Sequence, residues 1–416
     1  MGGVPRNQRR IAMTKKTLTC AAFAALLFAA VAKPSFFLPE EIFATPGIEC
    51  SVYYADIFDS IKPGMYVFVA QCEVGRAEEN RWCWTPTDAD RGRRVKLRIE
   101  SWNDDGLVDS VTTEVSVATL PGDMKSRRTF ALLAASLTNS RYQDALASNM
   151  WSMGYSGYTP VGSVRGRAGG DKRVACDGYG GFSFETFLTR WQIAEDDLMN
   201  IQKESEREQL KAFGVKLAES WRRGLLKSPL VRIKDGKKVV DVQAWLDRVN
   251  GGMPPDVLVV ELGINGTFGC TAETLEEHVR DSQIGSAAKL VAHLRACMPN
   301  AIIGLCTEPI SCGQDGFAEN YGCKQSEMQY RKNMFHFNRE LAKWVSAQGD
   351  AKLVLVPFGH AIDPVFGYIR EPTRANAACD ETVVRFKNAL HPSLAGGRQL
   401  GDALTAWLCS VWAKAR

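Results

Sequence analysis

Apolar and polar positions divide the chain into two regimes. From about Phe36 to Ala118 the apolar residues come in short runs or in alternation. Met65–Cys72 is a strand-like apolar run, and Val95-Lys-Leu-Arg-Ile-Glu alternates with period two, as a strand with one buried face does. Asn103-Asp-Asp-Gly106 is a turn signal, and Val111–Val117 supplies a returning strand. This pattern predicts a small all-β sandwich over residues 36–119. The turn-rich stretch from Leu120 to Arg128 marks a boundary.

Beyond it, apolar strands alternate with helical segments, the signature of a parallel α/β sheet over residues 128–416. Phe130–Ala134 is wholly apolar, as a strand buried on both faces must be. Asp256–Gly263 is the clearest such run, and Ala301–Cys306 and Lys352–Pro357 follow it. Helices are predicted from about Arg141 to Met153, Ala272 to Met298, Ser326 to Ala347 and Ala395 to Ala415. The charged stretch Trp191–Leu226 reads as a solvated helical excursion.

Composition narrows the class. The chain has 416 residues, 45% of them hydrophobic, and ten tryptophans, which argues for packed domains rather than disorder. The net charge of +4 is small, and no basic stripe interleaves with aromatics, so nucleic acid is not an expected partner. Residues 1–32 read as a signal peptide: Arg9, Arg10, Lys15 and Lys16 precede an apolar stretch from Leu18 to Val31, and Ala30-Val-Ala32 is a cleavage signal. The expected location is therefore secreted or periplasmic, with no membrane contact once the leader is cleaved. Of twelve cysteines, Cys20 leaves with the leader, and the remaining odd number keeps at least one thiol outside intrachain disulfides. Cys312 and Cys323 are the best candidates for a disulfide. With no C-x-x-C pair and no histidine near the cysteines, neither a metal nor another cofactor is expected. Trp82 and Trp84 are either a platform for sugars or core residues.

The candidate chemistry lies at predicted strand ends. Ser136 ends the Phe130 strand, where open α/β sheets place their ligands. Gly180-Gly181 and Gly263-Ile-Asn265 follow strand-like runs, and His391 precedes Pro392 and the last helix. A serine hydroxyl needs a base to become a nucleophile, and histidine titrates in the right range. A tetrahedral oxyanion needs preorganised donors, which a glycine N–H and an asparagine amide supply.

In order and local sequence these stretches resemble the four blocks of the SGNH, or GDSL-type, hydrolases, over about Phe130 to Trp412. Ala134-Ala-Ser136-Leu-Thr138 resembles the first block and implies that Ser136 is the nucleophile. Gly180-Gly181-Phe-Ser183 resembles the second and implies a Gly181 N–H donor to the oxyanion. Leu262-Gly-Ile-Asn265 resembles the third and assigns the Asn265 amide to the same hole. Asn388-Ala-Leu-His391-Pro392 resembles the last, with His391 as base. Three acidic positions differ: Ala134-Ala135 replaces Gly-Asp, Gly266 replaces an aspartate, and Asn388 stands where the triad acid belongs. A Ser–His dyad, or a carboxylate borrowed from Asp363 or, less favourably, Asp380, are the alternatives.

The resemblance implies a three-layer α/β/α, flavodoxin-like domain behind the sandwich. It also implies ester hydrolysis through an acyl-Ser136 intermediate, on a small-molecule or polysaccharide ester. A lipase or thioesterase, and a carbohydrate-binding protein with a decayed hydrolase site, are the competing expectations. Oligomeric state is not legible in the sequence.

Overall fold

The computed structural model describes residues 33–60, 62–119, 123–190, 228–310, 312–321 and 325–414. The proposed leader, the charged excursion after Trp191 and Cys323 lie outside the described residues. Seven strands come first: β1 (Glu41–Ala44), β2 (Cys50–Tyr53), β3 (Val67–Gln71), β4 (Arg76–Ala77), β5 (Arg81–Trp84), β6 (Arg94–Asn103) and β7 (Gly106–Val117). They form two sheets, in orders β1-β7-β6-β3 and β2-β5-β4. All pairs in them are antiparallel except β1 with β7. Inward side chains from both sheets, among them Ile42, Val52, Trp82, Leu97, Ile99 and Val115, share one apolar cluster. Trp82 is a core residue, with Nε1 donating to Val74 O at 3.2 Å, and Trp84 packs against the same cluster. Of the two readings of this pair, the structure gives the core one for Trp82, with Trp84 half-buried at the cluster's edge.

A third sheet is built on β8 (Arg128–Ala134). Against one side of β8 lie β9 (Tyr158–Val161) and β11 (Ala175–Gly178), and β10 (Val164–Arg165) pairs antiparallel with β11. A hairpin, β12 (Val231–Lys234) and β13 (Lys237–Val240), stands apart. On the other side of β8 follow β14 (Val257–Glu261), β15 (Ile302–Cys306) and β16 (Leu353–Val356), all parallel. The order β11-β8-β14-β15-β16 is the 2-1-3-4-5 order of flavodoxin-like sheets. A second hairpin, β17 (Arg370–Asn376) and β18 (Cys379–Phe386), precedes the last helix.

The main helices are α1 (Tyr142–Ser152), α2 (Val242–Asn250), α3 (Gly285–Cys297), α4 (Glu327–Ala347) and α5 (Leu394–Lys414). Alternation along β8 decides the layers. Phe130, Leu132 and Ala134 face a cluster that holds Leu146 and Met150 of α1 and Leu404 and Trp407 of α5. Ala131, Leu133 and Ala135 face the opposite cluster, with Trp245 of α2, Leu290 of α3 and Leu341 of α4. Both faces of the sheet are covered, which is why its strands read as continuous apolar runs.

The two units are joined by polar anchors. Arg331 of α4, buried, donates to Ala55 O and to Ser60 O, and Gln399 of α5 donates to Tyr53 Oη at 3.0 Å. Among the described residues no helix is long and apolar enough to cross a membrane.

Candidate active site

Strand β8 ends at Ala134, and Ser136–Ser140 continues as a 3-10 turn. That turn is held by its own side chains. Thr138 Oγ1 donates to Ala135 O at 2.8 Å and accepts from Arg167 Nε at 2.7 Å, while Ser140 Oγ donates to Leu137 O at 2.7 Å. Ser136 is thereby fixed at the carboxyl edge of the central strand, half-buried.

The last helix delivers the histidine. Helix α5 approaches the turn closely because it carries glycines: a Cβ on Gly397 would collide with Ser140 O, and one on Gly401 would lie 2.7 Å from Tyr142 O. His391 lies just before this helix, and its Nε2 is 2.8 Å from Ser136 Oγ. Gly397→Ala is expected to destabilise the fold by about 1–3 kcal/mol through overpacking and to lower kcat by pushing His391 off Ser136. Urea denaturation and initial rates on the same samples check this. A variant of parental stability and rate would show that the close approach is not needed.

The other two arms converge beside the serine. The Tyr179 amide donates to Ala134 O at 2.9 Å, so the chain leaving β11 runs along the end of β8. Gly181 follows in a turn closed by Phe182 N to Tyr179 O at 3.3 Å, with φ at +75°, where a side chain would be strained. Its N–H makes no hydrogen bond to the described residues. Asn265 lies on the short helix Gly263–Thr267 after β14 and donates through Nδ2 to Phe182 O at 2.9 Å, which ties this arm to the Gly181 turn. One Nδ2 hydrogen is left over for another acceptor.

Three acidic or amide expectations need correction. Asn388 does not reach the imidazole; its Oδ1 accepts from the amides of Leu390 and His391, both at 2.9 Å, and so shapes the loop that presents the base. Asp363 spends its Oδ1 on the amides of Val365 and Phe366, each at 2.8 Å, in a local turn. Asp380 is fully exposed at the β17–β18 hairpin and pairs with Arg374 at 2.7 Å. No carboxylate pairs with His391 among the described residues, and burial alone lowers its pKa below the ordinary histidine value. Cys312 Sγ lies 3.0 Å from Asn388 O, against the histidine loop, while its proposed disulfide partner Cys323 lies outside the described residues.

Gly266 packs against a widened helical segment. Residues 278–284 form a π-helical segment, and its wide turn carries His278 Nε2 to 2.7 Å from Gly266 O. A Cβ at 266 would meet the Gln283 amide, so a larger residue there requires that buried side chain to move.

Sequence reasoning missed two groups. Glu261 and Glu308 are both buried at strand ends behind Ser136, at 0% and 1% exposure. The available signal was a glutamate closing an apolar run, since such residues are rarely buried without a partner. The second is a cavity of about 500 Å³ lined by Asn139, Ser140, Phe366, Tyr368, Arg370 and Ser393, among others. It adjoins the residues that directly follow Ser136 and His391. Phe366 is 71% exposed there, and the Arg370 guanidinium lies over its ring at 5.3 Å.

No protein-family model matches this sequence, and no curated protein does. Among solved structures it is similar to the Clostridium thermocellum family 3 carbohydrate esterase at 13% identity, covering 69% of this chain and 100% of that one, with a TM-score of 0.37. A possible lipase from Chitinophaga pinensis DSM 2588 matches at 11% identity over 69% and 99% of the two chains, with a TM-score of 0.36. A GDSL-like lipase candidate from Parabacteroides merdae ATCC 43184 matches at 16% identity over 70% and 99%, with a TM-score of 0.34. At such identities and scores the chemistry has to be read from the site's own atoms. Those atoms join a 2-1-3-4-5 parallel sheet to the Ser, Gly, Asn, His order of the SGNH hydrolases, the family this chain resembles.

Proposed function

We propose that the chain is an exported serine esterase that removes acetyl groups from a carbohydrate through an acyl-Ser136 intermediate. The observation that carries this reading is the 2.8 Å contact between Ser136 Oγ and His391 Nε2 at the carboxyl edge of a parallel sheet. His391 takes the hydroxyl proton as Ser136 attacks the ester carbonyl. The Gly181 N–H and the spare Asn265 Nδ2 hydrogen are the donors for the oxyanion. Collapse releases the sugar alcohol, to which His391 returns the proton. Water, activated by the same imidazole, then cleaves the acyl-enzyme to acetate and free Ser136. With no carboxylate on His391 among the described residues, the pair works as a dyad, and burial keeps the imidazole neutral at neutral pH.

The cavity beside His391 supports a sugar-bearing ester. Exposed Phe366 offers a flat face to a pyranose ring, while Asn139 and Arg370 offer hydrogen-bonding groups around it. A lipase reading finds its support in the apolar rim of the same cavity, where Ile369 and Leu394 are also exposed.

Rates on p-nitrophenyl esters of increasing acyl length, together with acetate release from acetylated polysaccharides, separate the two. Acetyl preference with acetate release is the expected outcome, and Phe366→Ala then raises KM for the polysaccharide but not for p-nitrophenyl acetate. Preference for long acyl chains would transfer the assignment to a lipase. No turnover on any ester would favour a binding protein with a decayed site.

A further inference from the structure

Behind the nucleophile lies a carboxyl pair that the proposed mechanism does not use. Glu261 closes β14 and Glu308 follows β15, so adjacent parallel strands bring both side chains under the turn that carries Ser136. The Ala135 amide donates to Glu261 O at 3.1 Å and also points at Glu261 Oε2 at 3.4 Å, and Tyr142 Oη lies 3.4 Å from the same oxygen. The Gly263 amide donates to Glu308 Oε1 at 2.5 Å. Glu308 is itself locked in place, because Asn338 of α4 accepts from its amide at 2.7 Å and donates to its carbonyl at 2.8 Å. The remaining oxygens, Glu261 Oε1 and Glu308 Oε2, are buried and have no other partner. Two carboxylates cannot share so dry a site, whereas one proton between them satisfies both orphaned oxygens at once.

We infer that Glu261 and Glu308 share a single proton and act as positioning residues, holding the nucleophile turn at Ala135 and the oxyanion arm at Gly263 to each other. Two of the acidic supports absent at positions 135 and 266 are thus replaced from beneath, by groups on the neighbouring strands. The amides of Gly263 and Leu262 favour charge on Glu308, so the proton belongs to Glu261. Burial first, then the neighbouring carboxylate, holds Glu261 far above the usual carboxylate range, and burial raises Glu308 as well. The ionisable groups facing the pair are Tyr142 from α1 and Cys306 from β15, each kept neutral by burial.

The folded protein therefore holds a proton that the unfolded chain releases near the ordinary glutamate value of about 4.3. Stability falls as pH rises from there to the pair's own value, and is level above it. Loss of the shared proton as pH rises through the pair's own value leaves two buried charges side by side and loosens both arms.

Infrared difference spectroscopy and kinetics on the full chain test this together. The parent at neutral pH is expected to show the C=O band of a buried protonated carboxyl, absent in Glu261→Gln. In Glu261→Met, which fills the space but neither donates nor accepts, kcat should fall about tenfold to a hundredfold with KM little changed, as for misplaced catalytic groups. Glu261→Gln donates to Glu308 and accepts from Ala135, so it should rescue most of that loss and remove the alkaline limb of the pH–rate profile. A parent without the protonated-carboxyl band overturns the inference, as does a Gln variant no better than the Met variant. The kinetic arm rests on the esterase reading, whereas the infrared arm does not, so failure of that reading leaves the shared proton testable by itself.

Discussion

Ser136→Ala and His391→Ala are each expected to lower ester turnover by about four to six powers of ten, and the double variant by no more than the worse of the two. The reason is geometric. The hydroxyl and the imidazole meet at 2.8 Å and act as one unit, so removing either removes the nucleophile's activation entirely. Burst kinetics with p-nitrophenyl acetate, alongside the pH profile, provide the check. Because burial lowers the His391 pKa, kcat/KM should stay level through neutrality and fall only below about pH 6.5, the ordinary histidine value. The sign follows from the role: protonated imidazole cannot accept the Ser136 proton, so activity is lost as pH falls through its pKa and not as pH rises. Equal turnover in parent and both variants would place the activity elsewhere on the chain. A profile centred above the ordinary histidine value would mean that a carboxylate supports the base after all.

Asn265→Ala should cost about a hundredfold to a thousandfold in kcat, the usual loss on removing one oxyanion donor, with KM nearly unchanged. Part of the effect is indirect, since the same amide bonds Phe182 O and keeps the Gly181 turn against the Asn265 arm. Asn265→Asp removes both contributions, since an ionised carboxylate can donate neither to Phe182 O nor to an oxyanion. It keeps the size of the side chain but presents negative charge to a developing oxyanion, so it should be no better than alanine. If Asp restores turnover, neither the bond to Phe182 O nor an oxyanion contact from Asn265 is needed.

The central strands and long helices were legible because their burial is regular. Phe130–Ala134 and Asp256–Gly263 read as strands buried on both faces, and they are β8 and β14. The predicted helices over residues 141–153, 326–347 and 395–415 fall on α1, α4 and α5. The hairpin β17–β18 left no such mark, since it is largely exposed and buries no apolar face that would impose a period. The helix predicted over residues 272–298 begins irregularly, with a π-helical segment at residues 278–284. Within that segment His278 Nε2 lies 2.7 Å from Gly266 O, a contact that the sequence period does not show.

The chain's local chemistry by itself determined the order of the four site-bearing stretches and the apolar runs that set them at strand ends. A run of apolar residues demands burial wherever it lies, and a glycine or serine after it must fall at the sheet's edge. Contacts across more than a hundred positions are another matter, because they depend on which strands become neighbours and how closely helices approach. Only the tertiary structure brought His391 to Ser136, through the glycines of α5, and left Asp363 and Asn388 to local turns. It alone set Glu261 beside Glu308, since parallel pairing of β14 with β15 turns two distant glutamates into one buried, proton-sharing pair.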